Sequence, residues 1–118
     1  MDAEARRELV ESYFERVDAE RYGDLEGLFT GDVAFHPPGD DITGVEEMID
    51  WYRDRLKVAD ATHDVQRYVD DGTTVVCEGH LTGRLPDGSS IEGGFLDVFE
   101  FDTESERIAE LTIYDSLG

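Results

Sequence analysis

The spacing of apolar residues changes near residue 62, from the three-to-four-residue period of a helix to the two-residue period of a strand. Upstream, a stretch over 3–21 places its apolar side chains on one helical face, with Asp2 positioned as its N-cap. Because strands follow helices in a run, the chain predicts an α+β fold with an antiparallel four-strand meander. The predicted strands cover 62–69, 73–85, 89–101 and 107–114.

Between the first helix and the meander, the signals are shorter. A helical turn is predicted over 24–29, stopped by Gly31, and a strand over 32–36, ended by two prolines. Thr43 and Glu46 have the spacing of a capping box, in which each side chain accepts an otherwise unpaired backbone N–H. A third helix is therefore expected to begin here. Its apolar side is formed by Val45, Met48, Ile49, Tyr52 and Leu56.

The chain has 30 acidic and 10 basic residues and a formal net charge of −20. The acidic residues alternate with apolar ones along the whole chain, and 10% of the residues are aromatic, which is atypical of an acidic disordered chain. We therefore expect a folded protein with an acidic surface, similar to proteins from a salt-rich cytoplasm. Nucleic acid is not an expected partner, because no basic patch is available to meet phosphates.

The 118 residues suffice for one domain, which we place over 1–118. No apolar run approaches the ~20 residues that span a bilayer, and the N-terminal residues lack the pattern of a secretory signal. Cys77 is the single cysteine, so no disulfide forms within the chain. These features together predict a cytoplasmic protein without a membrane partner.

Asp97 lies in a strand segment whose alternation puts it on the same face as Phe95, Phe99 and Phe101. A solvated face rarely carries three phenylalanines, and a buried aspartate is rare unless it is paired or functional. The segment therefore predicts an apolar cavity that contains one carboxyl group. A purely structural role, in which backbone N–H groups hold the carboxylate, is the alternative for Asp97.

The glycine pair Gly93-Gly94 predicts a kink or bulge in the same strand, which would curve the sheet around helices on its concave side. A curved sheet of this kind forms a cone with a hollow interior. The candidate walls of this cavity would also fill an ordinary core. They are Trp51, Phe95, Phe99, Leu111 and Ile113.

The other reactive residue types give weaker signals. The histidines lack a metal-ligand spacing, Cys77 has no cysteine partner, and the glycines match no nucleotide-binding motif, so neither a metal nor a cofactor is expected. His63 and His80 lie singly on separate strands and are interpreted as surface or interface residues. Cys77 alternates with apolar residues and is interpreted as a core residue.

Five segments carry a resemblance to a known family: ERYGDLEGLF, GDVAFHPPG, ITGVEEMIDWY, LDVFEF and RIAELTIYD. Their order and spacing over residues 5–115 resemble the nuclear-transport-factor-2-like superfamily, which includes SnoaL-like polyketide cyclases, ketosteroid isomerases and limonene epoxide hydrolases. The resemblance implies a cone-shaped, curved, mixed antiparallel sheet with three helices on its concave side. It also implies a homodimer formed through the outer face of the sheet.

The resemblance implies roles for three residues. Asp97 and Tyr13 correspond to the acid and the phenol that donate hydrogen bonds to the substrate oxygen in ketosteroid isomerases. His36 falls where those enzymes have their general base, an aspartate, and imidazole performs the same work near neutral pH. Phe95 takes the place of the arginine that epoxide hydrolases use, which disfavours their chemistry.

These correspondences suggest a cofactor-independent isomerase or cyclase that acts on a hydrophobic carbonyl compound. Each role has a structural alternative: Tyr13 as a core residue and His36 as a strand end beside the prolines. Two further readings stay open for the whole chain. One is a non-catalytic module that binds a hydrophobic small molecule or dimerises, and the other is an interaction protein with a fully packed core.

Overall fold

The computed structural model describes residues 1–117. The helical elements are α1 (Ala3–Asp18), a 3₁₀ helix (Tyr22–Leu28), and α2 (Val45–Asp50), which continues as a π-helical turn (Trp51–Arg55). The strands are β1 (Phe29–His36), β2 (Ile42–Thr43), β3 (Ala59–Asp70), β4 (Thr74–Arg84), β5 (Ser90–Asp102) and β6 (Arg107–Asp115). None of the helices within this described range is both long enough and apolar enough to cross a bilayer.

One six-stranded sheet, in the order β2-β1-β6-β5-β4-β3, organises the molecule. The four strands β3 to β6 form the predicted antiparallel meander, whereas β1 runs parallel to β6 and pairs with the short β2. The sheet is curved and open, and the three helical elements cover its concave side. The predicted α+β architecture is thus confirmed.

The inner face of the sheet follows from the alternation of each strand. In β4, the buried residues are Val75, Cys77, Gly79 and Leu81, as the two-residue period predicts. The apolar sides of α1 and α2 pack onto this face and close a single core. The large side chains that are almost completely buried include Tyr13, Phe29, Phe35, Met48, Phe99, Ile108 and Leu111.

Helix α1 begins as the sequence predicts and ends earlier. An oxygen of the Asp2 side chain accepts the N–H of Ala5 at 2.8 Å, which caps the first turn. The helix ends at Asp18 rather than at residue 21. Glu20 adopts φ 57°, a left-handed conformation that no helix can continue through.

The predicted capping box at Thr43 and Glu46 does not form. Thr43 belongs to β2, a strand that the sequence analysis did not predict, and the N-cap of α2 is Gly44, with φ 102° and without a capping side chain. The Gly44 N–H donates to the carbonyl of Val33 at 2.9 Å. Pairing with β1 therefore fixes the start of this helix, and the left-handed φ requires glycine there.

The bulge expected at Gly93-Gly94 is also absent from the described pairing. The register between β4 and β5 runs unbroken from Thr74↔Glu100 to Arg84↔Ser90. A Cβ atom on Gly93 would instead lie 2.6 Å from the carbonyl oxygen of Ser116. The glycine pair thus lets the C-terminal segment pack against β5, and a register irregularity lies farther along, between Glu100 and Phe101 of the β5–β6 ladder.

Candidate functional site

A small internal cavity, here called the site cavity, lies between α1, the π-helical turn and the inner face of the sheet. Its volume is about 60 Å³, and most of its wall is apolar. The titratable side chains that line it are Tyr13, Tyr52, His63 and Asp115. The larger depressions of the molecule are open grooves on the surface, such as the one lined by Asp60, Arg84 and Glu92. The site cavity therefore combines an apolar enclosure with groups able to exchange protons.

Two phenols form the centre of the site. Tyr13 from α1 and Tyr52 from the π-helical turn are almost completely buried, and their hydroxyl groups are hydrogen-bonded to each other. Phe99 contacts the Tyr13 ring edge-on at 5.4 Å, and Tyr22 stacks on the Tyr52 ring at 5.3 Å. Burial raises the pKa of both phenols, that of Tyr13 well above its ordinary value.

The Tyr13–Tyr52 pair has one more hydroxyl hydrogen than the hydrogen bond between them uses. Because both phenols stay protonated at neutral pH, the pair carries two hydroxyl hydrogens, and one hydrogen bond between them uses only one. The second hydrogen of the Tyr13–Tyr52 pair is available to a third group that enters the cavity. A carbonyl oxygen is an acceptor of the kind that this hydrogen requires.

Asp97 is buried, with 1% of its surface exposed, between Cys77 of β4 and Ile113 of β6 in the strand register. Neither carboxyl oxygen has a hydrogen-bond partner among the residues that the structure describes. Desolvation, with a smaller contribution from the charge of Asp115, raises the pKa of Asp97 well above its ordinary value. The group is therefore a neutral carboxylic acid near pH 7, and it is not among the residues that line the site cavity.

Cys77, on the neighbouring strand, is likewise buried. Desolvation raises the pKa of its thiol to about 12. A thiol in this state is a poor nucleophile, in line with the predicted core role of Cys77.

The structure separates His36 from the other two predicted catalytic residues. Phe35 faces the core, so the next residue of β1 faces the outer side of the sheet. There the His36 ring lies between two carboxylates, with Nδ1 2.6 Å from Asp41 and Nε2 2.9 Å from Glu110. These hydrogen bonds raise the pKa of His36. The predicted grouping of His36 with Asp97 and Tyr13 is therefore wrong, because strand alternation places its ring on the opposite face.

His63 takes the position in the cavity wall that the sequence analysis did not foresee. Its side chain is 11% exposed, and Nδ1 lies 2.6 Å from an oxygen of Asp18 at the end of α1. The other Asp18 oxygen accepts the backbone N–H of His63 at 2.9 Å. His63, interpreted from the sequence as a surface or interface residue, thus lies between the site cavity and an open surface groove and lines both. The alternation of the strand could have predicted this position, because His63 pairs with the inward-facing Leu81.

The five predicted wall residues divide into two groups. Trp51 and Ile113 line the site cavity. Phe95, Phe99 and Leu111 are 3%, 0% and 0% exposed and belong to the packed core. The rings of α1 fill the space in front of this second group, because Phe14 lies only 5.8 Å from Phe95. Across residues 1–117, no group of three or more His, Cys, Asp or Glu side chains is arranged to hold a metal ion.

Comparison with known proteins assigns the chain to a family. The model of the SnoaL-like domain family matches residues 10–111 of the chain. No curated protein sequence matches it. An NTF2-like protein of unknown function from Burkholderia pseudomallei superposes with a TM-score of 0.86 at 16% identity, over 98% of this chain and 92% of that one.

Two structures with named chemistry are also similar. SalBIII, an epoxide hydrolase/cyclase-like enzyme with a role in pyran ring formation in the polyether salinomycin, superposes with a TM-score of 0.80 at 20% identity, over 99% of this chain and 97% of that one. A protein from Shewanella denitrificans, provisionally assigned as a SnoaL-like polyketide cyclase, gives 0.77 at 19% identity, over 93% and 89%. At these identities the similarity establishes the fold.

Proposed function

Because the chain belongs to the SnoaL-like family, we propose that it is an isomerase or cyclase that moves a proton next to the carbonyl group of a hydrophobic compound. The observation that carries this proposal is the buried Tyr13–Tyr52 hydroxyl pair in the wall of the site cavity. The cyclase names among the structural neighbours support the same class of reaction. The proposed chemistry requires no cofactor.

The phenol pair would stabilise the charge that develops during the reaction. Removing a proton beside a carbonyl converts the carbonyl oxygen into an enolate oxygen, which accepts hydrogen bonds more strongly than the ground state does. In a buried site, an oriented donor of this kind is worth about 3 kcal/mol of the activation barrier. Tyr13 and Tyr52 are oriented before a ligand arrives, because aromatic neighbours pack against both rings.

Asp97 is the proposed second donor to the same oxygen. A neutral carboxylic acid has one O–H to donate, and no described residue accepts one from Asp97. Asp97 lies near enough to Tyr13 and Tyr52 that a negative charge on it would raise the pKa of both phenols. Since Asp97 does not line the site cavity, a carbonyl oxygen would reach it only after lining side chains move aside.

The volume of the cavity limits how much of a substrate it can hold. Its volume of about 60 Å³ is far below the roughly 300–1,000 Å³ of typical small-molecule sites. We therefore propose that the carbonyl end of the substrate enters, while its hydrophobic remainder displaces lining residues outside the helices and strands. These residues are Pro38, Leu56, Val58 and Leu117.

The test is turnover on a panel of cyclic β,γ-enones, measured as conversion to the conjugated isomer. Tyr52→Phe removes one donor from the pair and is expected to lower the rate about 100-fold. The matched control is Tyr22→Phe, since the Tyr22 ring stacks on Tyr52 without joining the hydroxyl pair. Equal rates for Tyr52→Phe and the wild type on a converted enone would remove the pair from the mechanism.

The outer face of the sheet supports a second proposal, a homodimer. Val69, Val76 and Val98 lie in register across three neighbouring strands, on the face opposite the core. Val69 is 50% exposed and Tyr114, on the same face of β6, is 59% exposed. A dimer through this face would cover them, whether the cavity is catalytic or the chain is a non-catalytic binding module.

We also propose a salt-rich cytoplasm as the setting of the protein, without a nucleic-acid or membrane partner. The support is the formal net charge of −20, which repels polyanions and is screened at high ionic strength.

A further inference from the structure

We infer that His63, held by Asp18, is the general base that removes the proton from the substrate carbon. This inference rests on the proposed function, because it supplies the proton acceptor that the phenol pair lacks. The family resemblance pointed to His36 for this role, and the sheet turns that residue outward.

The contact with Asp18 fixes which nitrogen of His63 is free. An ionised carboxylate only accepts hydrogen bonds, so the Nδ1 atom at 2.6 Å carries the hydrogen. In the neutral imidazole, Nε2 is then the atom with the free lone pair. Nε2 has no hydrogen-bond partner within the described part of the chain. The His63 side chain lines the site cavity on one side and an open surface groove on the other.

The imidazole is also fixed in orientation. Asp18 holds the ring and the backbone of His63 with its two oxygens, at 2.6 and 2.9 Å. Phe14 and Phe95 pack against the ring, with centroids 5.1 and 5.0 Å away. A carboxylate that orients an imidazole, which in turn faces a reacting group, is the usual arrangement of a histidine base.

The other candidates for the base are less suited. Asp97 is held neutral by burial and does not line the site cavity. His36 and His80 face away from the core, and each contacts a carboxylate there. Asp115 lines the cavity, but it is an exposed residue at the end of β6. Asp115 therefore serves as the rival in the test below.

The proposed step balances as a proton transfer. Nε2 of His63 takes a proton from the carbon next to the carbonyl, and the electron pair of the C–H bond becomes the C=C bond of an enolate. The negative charge on the enolate oxygen is stabilised by the hydroxyl hydrogen that the Tyr13–Tyr52 pair leaves free. The imidazolium then returns the proton to another carbon, which gives an isomer. If the enolate carbon attacks a second carbonyl, the proton goes to the new alkoxide, which gives a ring.

If the contact between Asp18 and His63 has only a structural role, different results are expected. Asp18 joins the end of α1 to β3, so a mere clamp would affect stability and leave the chemistry of the folded fraction unchanged. The test therefore uses readouts that separate binding, proton transfer and folding.

Binding is measured with para-nitrophenol, whose phenolate imitates an enolate oxygen, and proton transfer with cyclopentanone, through α-deuterium exchange followed by NMR. His63→Gln is expected to lower the exchange rate at least about 100-fold with unchanged nitrophenol affinity. Free imidazole is expected to restore part of the exchange in His63→Ala. Asp18→Asn, a change at a positioning residue, is expected to lower kcat on the enone panel without raising KM. His80→Gln is the matched histidine control, with wild-type rates expected.

The outcomes separate the two hypotheses. Wild-type exchange in His63→Gln, or a loss in His36→Gln or Asp115→Asn that His63→Gln does not share, would overturn the role of His63. A wild-type protein that binds nitrophenol but exchanges no deuterium overturns it as well and leaves the phenol donors standing. A wild type that neither binds nor exchanges overturns the proposed function and, with it, this inference.

A second measurement covers a His63 variant that fails to fold. The ¹⁵N chemical shifts of the wild-type imidazole report its tautomer directly. The hydrogen is expected on Nδ1 with Nε2 unprotonated at neutral pH, and the reverse tautomer would overturn the inference.

Discussion

At the scale of single residues, the cost of burying Asp97 is the dominant feature of the molecule. A carboxyl group without hydrogen-bond partners is destabilising in its neutral form and far more so when it is charged. Asp97 therefore keeps its proton bound in the folded state. Its raised pKa reflects the higher cost of burying the charged form than the neutral form. Buried acids with a strongly raised pKa are common at functional sites, and this one lies near two buried phenols.

The same pKa shift links stability to pH, with a definite sign. Asp97 holds its proton in the folded state, whereas the unfolded chain releases it above about pH 4. The folded state then binds more protons than the unfolded state, so the free energy of unfolding falls as pH rises through this window. The slope for one group is at most about 1.4 kcal/mol per pH unit.

Replacing Asp97 with asparagine removes this dependence. We expect the stability difference between Asp97→Asn and the wild type to shift in favour of the variant as pH rises from about 4 toward neutrality. Urea unfolding at several pH values measures it. Asp50→Asn removes one exposed charge and serves as the control. A difference that stays constant with pH would show that Asp97 ionises normally in the folded protein.

At the scale of secondary-structure elements, the close approach of β3 and β4 depends on a glycine. A Cβ atom on Gly79 would lie 1.9 Å from the carbonyl oxygen of Asp64 and 3.0 Å from the Phe95 ring. The β3–β4 register shifts between Val65 and Arg67, next to this contact. Strand β3 also carries His63 into the wall of the site cavity. The close approach at Gly79 therefore affects where His63 lies.

Gly79→Ala is therefore expected to destabilise the fold by about 1–3 kcal/mol, because the new methyl group overlaps backbone atoms that cannot turn away. Urea unfolding measures the loss. Gly27→Ala is the control, since a Cβ atom there meets nothing within 4 Å. Equal midpoints for both variants would mean that β3 moves aside without cost.

At the scale of the whole molecule, the net charge disfavours dimer formation, whereas the apolar outer face of the sheet favours it. Each chain carries a formal net charge of −20, so bringing two chains together costs electrostatic free energy. The apolar row of Val69, Val76 and Val98 favours association through the hydrophobic effect. Because salt shortens the range of the repulsion to ~3 Å at 1 M, the balance depends on ionic strength.

We expect the dimer fraction to rise between about 0.01 M and about 1 M KCl, since the Debye length falls from ~30 Å to ~3 Å. Sedimentation equilibrium measures the fraction. Val98→Glu places a charge in the centre of the row and should give a monomer at every salt concentration. Thr103→Glu adds the same charge in an exposed turn and should leave the dimer intact. A wild-type monomer throughout would contradict the proposed interface.

The chain alone determined its architecture, because local periodicity and turn residues fix which segments are helices or strands and which side of each faces the core. The burial of Asp97 and of Tyr13 followed from these patterns without knowledge of any contact. By contrast, the capping box at Thr43 was a local signal that pairing with β1 overrode.

Only the tertiary structure decided which reactive groups meet. His36 and His63 are both lone histidines on strands, yet the position of each in the sheet turns one outward and brings the other into the wall of the cavity that Tyr13 and Tyr52 also line. Asp18 and His63 are 45 residues apart in sequence. Their contact depends on how α1 packs on β3. The small volume of the cavity, about 60 Å³, depends on how the aromatic rings fill the space inside the curved sheet. Distances across a core arise from packing, which no local pattern records.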